Sequence, residues 1–593
     1  MSLTRNDVPE NRKWKTEHIY ATVDEWNKTY AEVEKKIDFS EFAGKLTDAE
    51  TVKKCYDKTY DVLLDLSKLG VYAFMKHDED TRDSLYVGLC QRVDDLEIKF
   101  SAATSFIEPE LTALDEKTLK SFAQNPLLKD YDYALKSLIK EKAHILSKET
   151  EEVLSLGGKV FGGYKEVFGM INNADLPFPT IKVDGKPVKV THGTYGVLLQ
   201  SDDRKVRKEA FQKYYAAFKG LINSITSVYA GNVNKNVFLS KARKYESCLD
   251  RALSAEDVKP VVYENLLKAV NSALPSLHRY VRDKKKDLGL KTMHMYDMYV
   301  PTVKEAELQL DYEDAFKLVK EGLKPLGEEY GKLLQEAHDG GWIDVEETDG
   351  KRSGAYSIGV YGLRHPYVLL NYKKTTNNVF TIAHELGHAL HTYHSNKYQP
   401  QAKADYRIFV AEVASTVNEV LLLKYLLKNS DDKKLKKYLL SYYTDMIKST
   451  LFRQTQFAEF EYAAHTMAEE GKPLTKDALN EVYYNLNKKY YGRSVVSDDE
   501  IAYEWARIPH FYNAFYVYKY ATGITSAITI AERIYAEGEK AVKDYFKFLS
   551  SGGSDSPVEL LKLAGVDLTK KEPFKKAMES FKLALDEYEA IEL

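Results

Sequence analysis

The chain has 593 residues, 44% of them hydrophobic and 29% charged, and a formal net charge of −4, which is typical of a globular protein with a large core and argues against a nucleic-acid partner. No run of 18 apolar residues occurs and the N-terminal residues lack the apolar stretch of a signal peptide, so neither a membrane span nor export is expected. Three scattered cysteines without a CxxC pair indicate reduced thiols, and together these features predict a cytoplasmic protein.

Helical periodicity dominates the N-terminal part of the chain. From about residue 23 to residue 140, apolar residues recur at three- and four-residue spacing, and proline is nearly absent. This pattern predicts long antiparallel helices, with breaks at Asn125–Pro126 and at the glycines between Leu156 and Gly169. The glycine run matches neither the GxxxxGK(S/T) nor the GxGxxG spacing of phosphate-binding loops, so we interpret it as a structural turn.

Two short β elements are predicted within this helical chain. Alternating residues flank Asp184–Gly185, a two-residue turn signature, and predict a hairpin. A second segment, from Gly341 to Tyr372, contains two or three strand-like runs. Helices then resume, capped by Asn377 or Asn378, and continue to the end of the chain.

These elements predict a mainly α fold with a small β element directly before the residues that carry the chemistry. We expect an N-terminal helical region over residues 1–190 and a catalytic domain over residues 191–593. The sequence contains no internal repeat and no low-complexity linker, and it does not indicate an oligomeric state.

The stretch TIAHELGHALH carries the strongest chemical signal. His384 and His388 stand four residues apart, so on a helix both imidazoles lie on one face and can hold one Zn²⁺. Glu385 lies beside them, where its carboxylate can take a proton from a zinc-bound water. Small residues, Ala383 and Gly387, permit close packing of this helix. HExxH also arises by chance, but here it lies in a helical pattern after a strand-rich segment, which favours a zinc site.

The third ligand separates two classes of zinc peptidase. His394 lies six residues after His388, as in the three-histidine class, but His391 stands where that class has a glycine that turns the chain out of the helix. On a straight helix His394 lies roughly 120° around from His388 and about 9 Å further along, too far to share one metal. We therefore expect His391 and His394 to be packing or supporting groups, with substrate contact open for His391.

A carboxylate from a following helix is the alternative third ligand. Residues 406–428 predict a mostly apolar helix that is interrupted by Glu412 and Glu419, seven residues apart and hence on one face. A carboxylate on a buried helix is costly unless it is paired or binds a cation. We therefore predict that Glu412 is the third ligand, and that Glu419, with Ser415, supports a ligating histidine.

Four ordered motifs give the chain a family resemblance. HELGH, followed by FVAEVAS and NE, resembles the oligoendopeptidase F branch of the thimet-oligopeptidase-like zinc metallopeptidases. That family also has a segment like KRSGAYS before the zinc helix and a tyrosine-rich segment like RIPHFYNAFYVYKYATG after it, and both occur here in that order. The resemblance implies a two-lobed helical metallopeptidase with a deep substrate channel, one zinc ion per chain and internal cleavage of short peptides.

The resemblance also implies roles for the two flanking segments. The stretch GAYSIGVYG, which begins within KRSGAYS, would form an exposed strand edge that pairs with the substrate backbone, with a plain structural strand as the alternative. Its residues expected to bind substrate are Gly354, Ala355 and Tyr356. From the tyrosine-rich segment, we expect His510 and then Tyr518 to stabilise the oxyanion of the reaction. Weaker candidates for substrate contact in that segment are Tyr512, Tyr516 and Tyr520.

The prediction is therefore a zinc-dependent endopeptidase that hydrolyses internal bonds of short peptides by Glu385-assisted attack of a zinc-bound water. A zinc carboxypeptidase of similar helical build is an alternative, and it needs a basic group to bind the terminal carboxylate. An aminopeptidase needs an acidic cluster for the free amine, which the strand segment lacks. A peptide-binding protein with a weak catalytic site is the non-enzymatic alternative.

Overall fold

The computed structural model describes residues 3–303, 306 and 308–593, and helices dominate it, as predicted. The helices up to residue 170 are α1 (Val23–Lys36), α2 (Ala49–Glu79), α3 (Ser84–Thr104), α4 (Ile107–Ala113), α5 (Glu116–Gln124), α6 (Asp132–Glu141), α7 (Lys148–Leu156) and α8 (Gly158–Met170). The next group comprises α9 (His192–Leu198), α10 (Arg204–Gly220), α11 (Ile222–Ala242), α12 (Cys248–Ser254), α13 (Pro260–Asp287), α14 (Tyr312–Gly322) and α15 (Glu328–Asp339).

The remaining helices follow the strand-rich segment. They are α16 (Thr376–Tyr398), α17 (Gln401–Ala404), α18 (Ile408–Asn429), α19 (Lys433–Ile447), α20 (Arg453–Glu469), α21 (Lys476–Tyr491), α22 (Tyr518–Glu537), α23 (Glu539–Leu549), α24 (Pro557–Leu563) and α25 (Glu572–Ala590). The strands are β1 (Thr180–Val183), β2 (Lys186–Lys189), β3 (Met293–His294), β4 (Ile343–Asp344), β5 (Tyr356–Ile358), β6 (Tyr367–Leu369) and β7 (Val495–Val496). In the described part of the chain, no helix is both long and apolar enough to cross a membrane.

Two compact units share the chain, and each is assembled from separated stretches. The first unit comprises residues 1–143, 307–428 and 530–566, and the second comprises residues 144–306, 429–529 and 567–593. The predicted boundary near residue 190 divides the chain into two continuous stretches, whereas these units are each discontinuous. The boundary therefore stays a prediction.

The predicted β elements are present. β1 and β2 pair in an antiparallel hairpin, and Asp184 and Gly185 form its turn with φ of 50° and 78°. In the first unit, β4, β6 and β5 form one sheet in that order, so β5 is an edge strand. β6 runs parallel to β4 and antiparallel to β5. The short parallel pair of β3 and β7, from residues distant in sequence, was not predicted.

Two local predictions were wrong. The glycine run is not a turn throughout, because after a break at Gly157 it continues as helix α8. Packing on α11 favours the helix: the Tyr164 ring lies so close to Gly231 that a Cβ there would stand 2.3 Å from it. Helix α16 is capped by Thr375, whose hydroxyl accepts the Asn378 N–H, and not by an asparagine.

A small aromatic core attaches the three-stranded sheet to α2. Its buried members are Trp14, Val71, Met75, Tyr367 and Leu369, with Tyr356 and Ile358 packed against them. β5 also lies beside α16, and directly after the strand a Cβ at Gly359 would stand 3.0 Å from Cγ2 of Thr392. The sheet therefore holds its edge strand alongside the helix that carries HELGH.

Candidate active site and metal centre

Three predicted ligand side chains meet at one point between α16 and α18. Nε2 of His384 lies 3.2 Å from Nε2 of His388, and each nitrogen lies 3.4 Å from Oε2 of Glu412. Donors about 2.0–2.1 Å from a tetrahedral centre stand about 3.3–3.4 Å apart, so this nearly equilateral triangle fits a zinc-sized cation with a fourth position open. Among the residues that the structure describes, no other group of three His, Cys, Asp or Glu side chains is placed to hold a metal.

Glu419 lies on the far edge of the His384 ring. Its carboxylate accepts a hydrogen bond from Nδ1 of His384, so when Nε2 gives up its proton to a bound cation, the Nε2 lone pair points into the triangle. Ser415 lies one turn earlier on α18, and its hydroxyl donates to the backbone carbonyl of Glu412 at 3.0 Å and to its Oε2 at 3.3 Å. Ser415 thus contacts the carboxylate of the triangle, and Glu419 contacts a histidine.

Charge at the triangle favours a cation. Burial disfavours a charged His384, but hydrogen bonds to Glu412 and Glu419 outweigh it and raise the pKa of this imidazole to about 10. Hydrogen bonds from His384 and His388 in turn hold the pKa of Glu412 well below its usual range. Three carboxylates, counting Glu385, surround two imidazoles, so the residues together attract positive charge.

Glu385 lies beside the triangle and is 7% exposed. Its carboxylate has no hydrogen-bond partner among the described protein residues, so its oxygens remain able to accept a proton. Burial raises the pKa of Glu385, while the neighbouring His384 and His388 oppose that rise. A raised pKa suits a general base, because it brings the basicity of the carboxylate closer to neutral pH.

The two later histidines of α16 do not join the triangle. His391 stacks on the Tyr406 ring with centroids 3.8 Å apart, and His394 meets Phe546 edge-on at 5.0 Å. Each is 1% exposed, and burial lowers their pKa values to about 3 and about 4, so both rings are neutral packing groups. The sequence left open that His391 contacts substrate, but a side chain this buried is not accessible to a peptide.

The predicted substrate edge begins later than expected. Gly354 has a φ of +89° and Ala355 also precedes β5, so only Tyr356 of the three lies in the strand. The side-chain amide of Asn371 donates to the Gly354 carbonyl at 2.7 Å and holds this bend. Tyr356 itself faces the sheet's core side, where its hydroxyl donates to the buried Asp78 at 2.8 Å.

The tyrosine-rich segment lies in the second compact unit and is irregular. His510, Tyr516 and Tyr520 form a cluster whose ring centroids are 5.6–6.0 Å apart, and the Tyr520 hydroxyl lies 3.5 Å from Nε2 of His510. His510 is exposed and both tyrosines are half-buried.

The other two tyrosines of the segment are in the core. Tyr512 stacks on Phe168 at 4.2 Å, and Tyr518 packs on Tyr263 at 5.2 Å and is 0% exposed. A hydroxyl that donates to a substrate must be reachable, so burial removes the priority predicted for Tyr518. The half-buried Tyr516 and Tyr520 are more accessible than Tyr512 and Tyr518.

Three residues that support these segments were missed from the sequence. The buried carboxylate of Glu461 accepts the backbone N–H of Phe515 at 2.6 Å, where Phe515 has a strained φ of 53°. Tyr330 and Asn418 are buried beside α16. Glu461 and Tyr330 have no sequence signal that distinguishes them from surface groups, whereas Asn418, a polar residue in the mostly apolar α18, could have been singled out as Glu412 and Glu419 were.

Comparison with known families decides what this site belongs to. The model of peptidase family M3 matches residues 197–580, and the model described as oligopeptidase F matches residues 110–178. The chain belongs to peptidase family M3. M3 peptidases are zinc metalloproteases, and the chain is accordingly a metalloendopeptidase of the oligoendopeptidase F type.

Full-length relatives of this M3 peptidase support the assignment. Oligopeptidase PepF of Bacillus subtilis is 42% identical over 591 residues, which cover 99% of this chain and 88% of the relative. The crystal structure of oligoendopeptidase-F from Enterococcus faecium has a TM-score of 0.73 at 35% identity, covering 96% of this chain and 99% of that one. A Chlamydophila abortus crystal structure has a TM-score of 0.94 at 33% identity, covering 100% of both chains. The predicted family and helical fold class are therefore confirmed.

Proposed function

We propose that this M3 peptidase is a zinc-dependent endopeptidase that hydrolyses internal bonds of short peptides and holds one zinc ion per chain. The observation that carries the proposal is the 3.2–3.4 Å triangle of His384, His388 and Glu412 with Glu385 beside it. The names of the relatives, oligopeptidase and oligoendopeptidase, support short peptides as the substrate class.

His384, His388 and Glu412 would hold the zinc ion. When bound, zinc would polarise the scissile carbonyl and make a water more acidic. The chain's own contribution begins with ligand orientation: Glu419 fixes the tautomer and rotation of His384, and Ser415 restrains the Glu412 carboxylate.

Glu385 is the proposed general base. Its carboxylate takes a proton from the attacking water and later delivers it to the amine that leaves. The absence of a hydrogen-bond partner among the described residues and the burial-raised pKa both support this role. Because Glu385 shares α16 with His384 and His388, the helix fixes the spacing between the base and the two histidine ligands.

Substrate positioning is assigned to the two flanking segments. The free edge of β5, preceded by Gly354 and Ala355, offers backbone groups to an extended peptide, while Tyr356 anchors the strand through Asp78. His510, with Tyr516 or Tyr520, is the proposed donor pair for the oxyanion, and Tyr512 and Tyr518 support that segment from the core.

The test uses a peptide blocked at both ends, with a fluorophore and quencher flanking its middle. Wild-type protein should cleave it, lose activity in chelator and regain it with zinc, and mass spectrometry should find internal cuts. Glu385→Gln should lose at least about 10³-fold in rate while retaining zinc. Glu328→Gln, an exposed glutamate at the start of α15, is the matched control and should stay at the wild-type rate. Chelator-resistant cleavage, or trimming of single C-terminal residues from an unblocked peptide, would contradict the proposal.

A further inference from the structure

The contacts between α16 and α18 run in antiparallel register around the metal centre. Asn418 Nδ2 donates to the carbonyl oxygen of Ala383 at 2.9 Å, and the next residue of each helix forms the Glu419–His384 bond. One turn further along α16, the contacts reach Ser415 and then Glu412. Two consecutive residues of α18 therefore bond to two consecutive residues of α16, and the second of these bonds is to a proposed ligand.

Asn418 is itself fixed by α15. The Tyr330 hydroxyl donates to Oδ1 of Asn418 at 3.0 Å, and Tyr330, Asn418 and Ala383 are each 0% exposed. Only one orientation of the amide satisfies both partners, because its NH₂ must face the carbonyl and its oxygen must face the hydroxyl. The amide therefore cannot rotate without leaving buried polar atoms unpaired.

The helices are also in backbone contact at this crossing. A Cβ at Gly387 would stand 2.5 Å from Cα of Ser415 and 2.7 Å from the carbonyl oxygen of Ala414. This contact brings the two helices close together and limits how they can slide. A directional bond such as Asn418–Ala383 adds a specific register to that contact.

We propose that Asn418, held by Tyr330, is a positioning residue that sets the register of α18 against α16 and thereby the geometry of the metal centre. A shift of either helix that breaks the Asn418–Ala383 bond also displaces Glu419 from Nδ1 of His384, since the two bonds join adjacent residues. The same shift moves Glu412, which lies on the same helix, away from Nε2 of both histidines. This inference rests on the proposed function, because it assumes that the triangle holds zinc.

Packing alone does not account for this amide. An apolar side chain of similar size would fill the same space without any need for partners, and buried polar groups are frequently neutral or costly for stability relative to such a replacement. What an apolar residue cannot supply is a bond of fixed direction to Ala383. The expected consequence of replacement is therefore a loosened metal centre, together with a lower melting temperature, because the buried Tyr330 hydroxyl loses its acceptor.

The experiment compares Asn418→Leu and Tyr330→Phe with wild type. Tyr545→Phe is the matched control, because it removes a buried tyrosine hydroxyl that has no hydrogen-bond partner among the described residues of the same unit. Zinc affinity is measured by competition with a chelator of known affinity, and the ligand field by the visible spectrum of cobalt-loaded protein. Circular dichroism and thermal unfolding report whether each variant is folded.

We expect Asn418→Leu to weaken zinc binding by about 10- to 100-fold and to change the cobalt spectrum. Tyr330→Phe should weaken zinc binding by several-fold and change the cobalt spectrum in the same direction. In both variants kcat should fall by a larger factor than KM rises. The Tyr545→Phe control should match wild type in all of these measurements. Wild-type zinc affinity and spectrum in folded Asn418→Leu and Tyr330→Phe would overturn the inference. If Asn418→Leu does not fold, Tyr330→Phe decides. If wild-type protein itself does not bind stoichiometric zinc, the proposed function fails and this inference fails with it. If wild type binds zinc but the variants bind it equally well, only this inference fails.

Discussion

The carboxylate of Glu419 and Nδ1 of His384 are joined by a hydrogen bond on the edge of the ring opposite Glu412. This arrangement decides which nitrogen carries the proton and therefore which one can bind a metal. It also explains why a mostly apolar helix carries two acids seven residues apart: Glu412 and Glu419 reach opposite edges of one imidazole.

Replacing Glu419 tests that relationship. Glu419→Ala should weaken zinc binding by about 10- to 100-fold, because His384 loses the acceptor that fixes its tautomer. Glu419→Gln keeps an acceptor without the charge and should lie between Glu419→Ala and wild type. Chelator competition gives the affinities. Equal affinities for all three proteins would show that the bond is unrelated to metal binding.

Gly387→Ala tests the close crossing of α16 and α18. The new methyl group would meet the Ser415 backbone, so we expect a loss of about 1–3 kcal/mol in the free energy of unfolding. Gly163→Ala in α8 is the matched control, since nothing lies within 4 Å of its Cβ position. There, alanine should be neutral or stabilise the helix by up to about 1 kcal/mol. Urea unfolding followed by circular dichroism measures both, and equal effects would contradict the crossing geometry.

The oxyanion segment gives a prediction about tyrosines. Tyr516→Phe or Tyr520→Phe should lower kcat by about 10²-fold or more if that hydroxyl stabilises the transition state, with a smaller change in KM. Tyr518→Phe should leave kcat within a few-fold of wild type, because this tyrosine is buried against Tyr263. Steady-state kinetics on the quenched peptide separate the cases. A large loss only in Tyr518→Phe would restore the priority that the sequence suggested.

The buried Glu504 of the second unit gives a prediction about acid stability. Burial raises the pKa of this carboxyl, but Arg453 and Arg507 outweigh burial and lower the pKa to about 2 from 4.5. A lowered pKa means that the ionised group stabilises the fold above about pH 4.5, and that this stabilisation is lost as the pH falls toward 2.

The shift of the Glu504 pKa corresponds to about 3 kcal/mol at neutral pH. Glu504→Gln should therefore be less stable than wild type at pH 7 and should lose less stability between about pH 5 and pH 3. Thermal unfolding across that pH range checks it. Parallel stability curves for the two proteins would contradict the charge-based account.

Local chemistry explains which parts of the site were predictable. HExxH fixes a spacing on one helix, and His384 and His388 do face a common point. The two acids of α18 were identifiable because a carboxylate in an apolar helix needs a partner, and the structure brings Glu412 to the histidines. His394 was set aside by helix geometry, and it packs on Phe546 outside the triangle.

Other parts depended on tertiary contacts that no local pattern records. The exposure of tyrosines in the 510–520 segment is set by its irregular backbone, including Phe515 at positive φ. The spacing of these tyrosines in the sequence therefore could not predict which of them are exposed and which are buried. β3 and β7 pair across about two hundred residues of chain, and each is too short to show alternation. The helical glycine run is stabilised by a close contact with Gly231, which propensity alone does not anticipate.

The central claim is that His384, His388 and Glu412 hold one zinc ion. Anomalous diffraction from zinc-loaded crystals, recorded on both sides of the zinc absorption edge, tests it most directly. The account predicts one peak per chain, about 2.0–2.2 Å from Nε2 of both histidines and from a carboxylate oxygen of Glu412. A peak at His391 or His394, or no zinc peak inside the triangle, would contradict it.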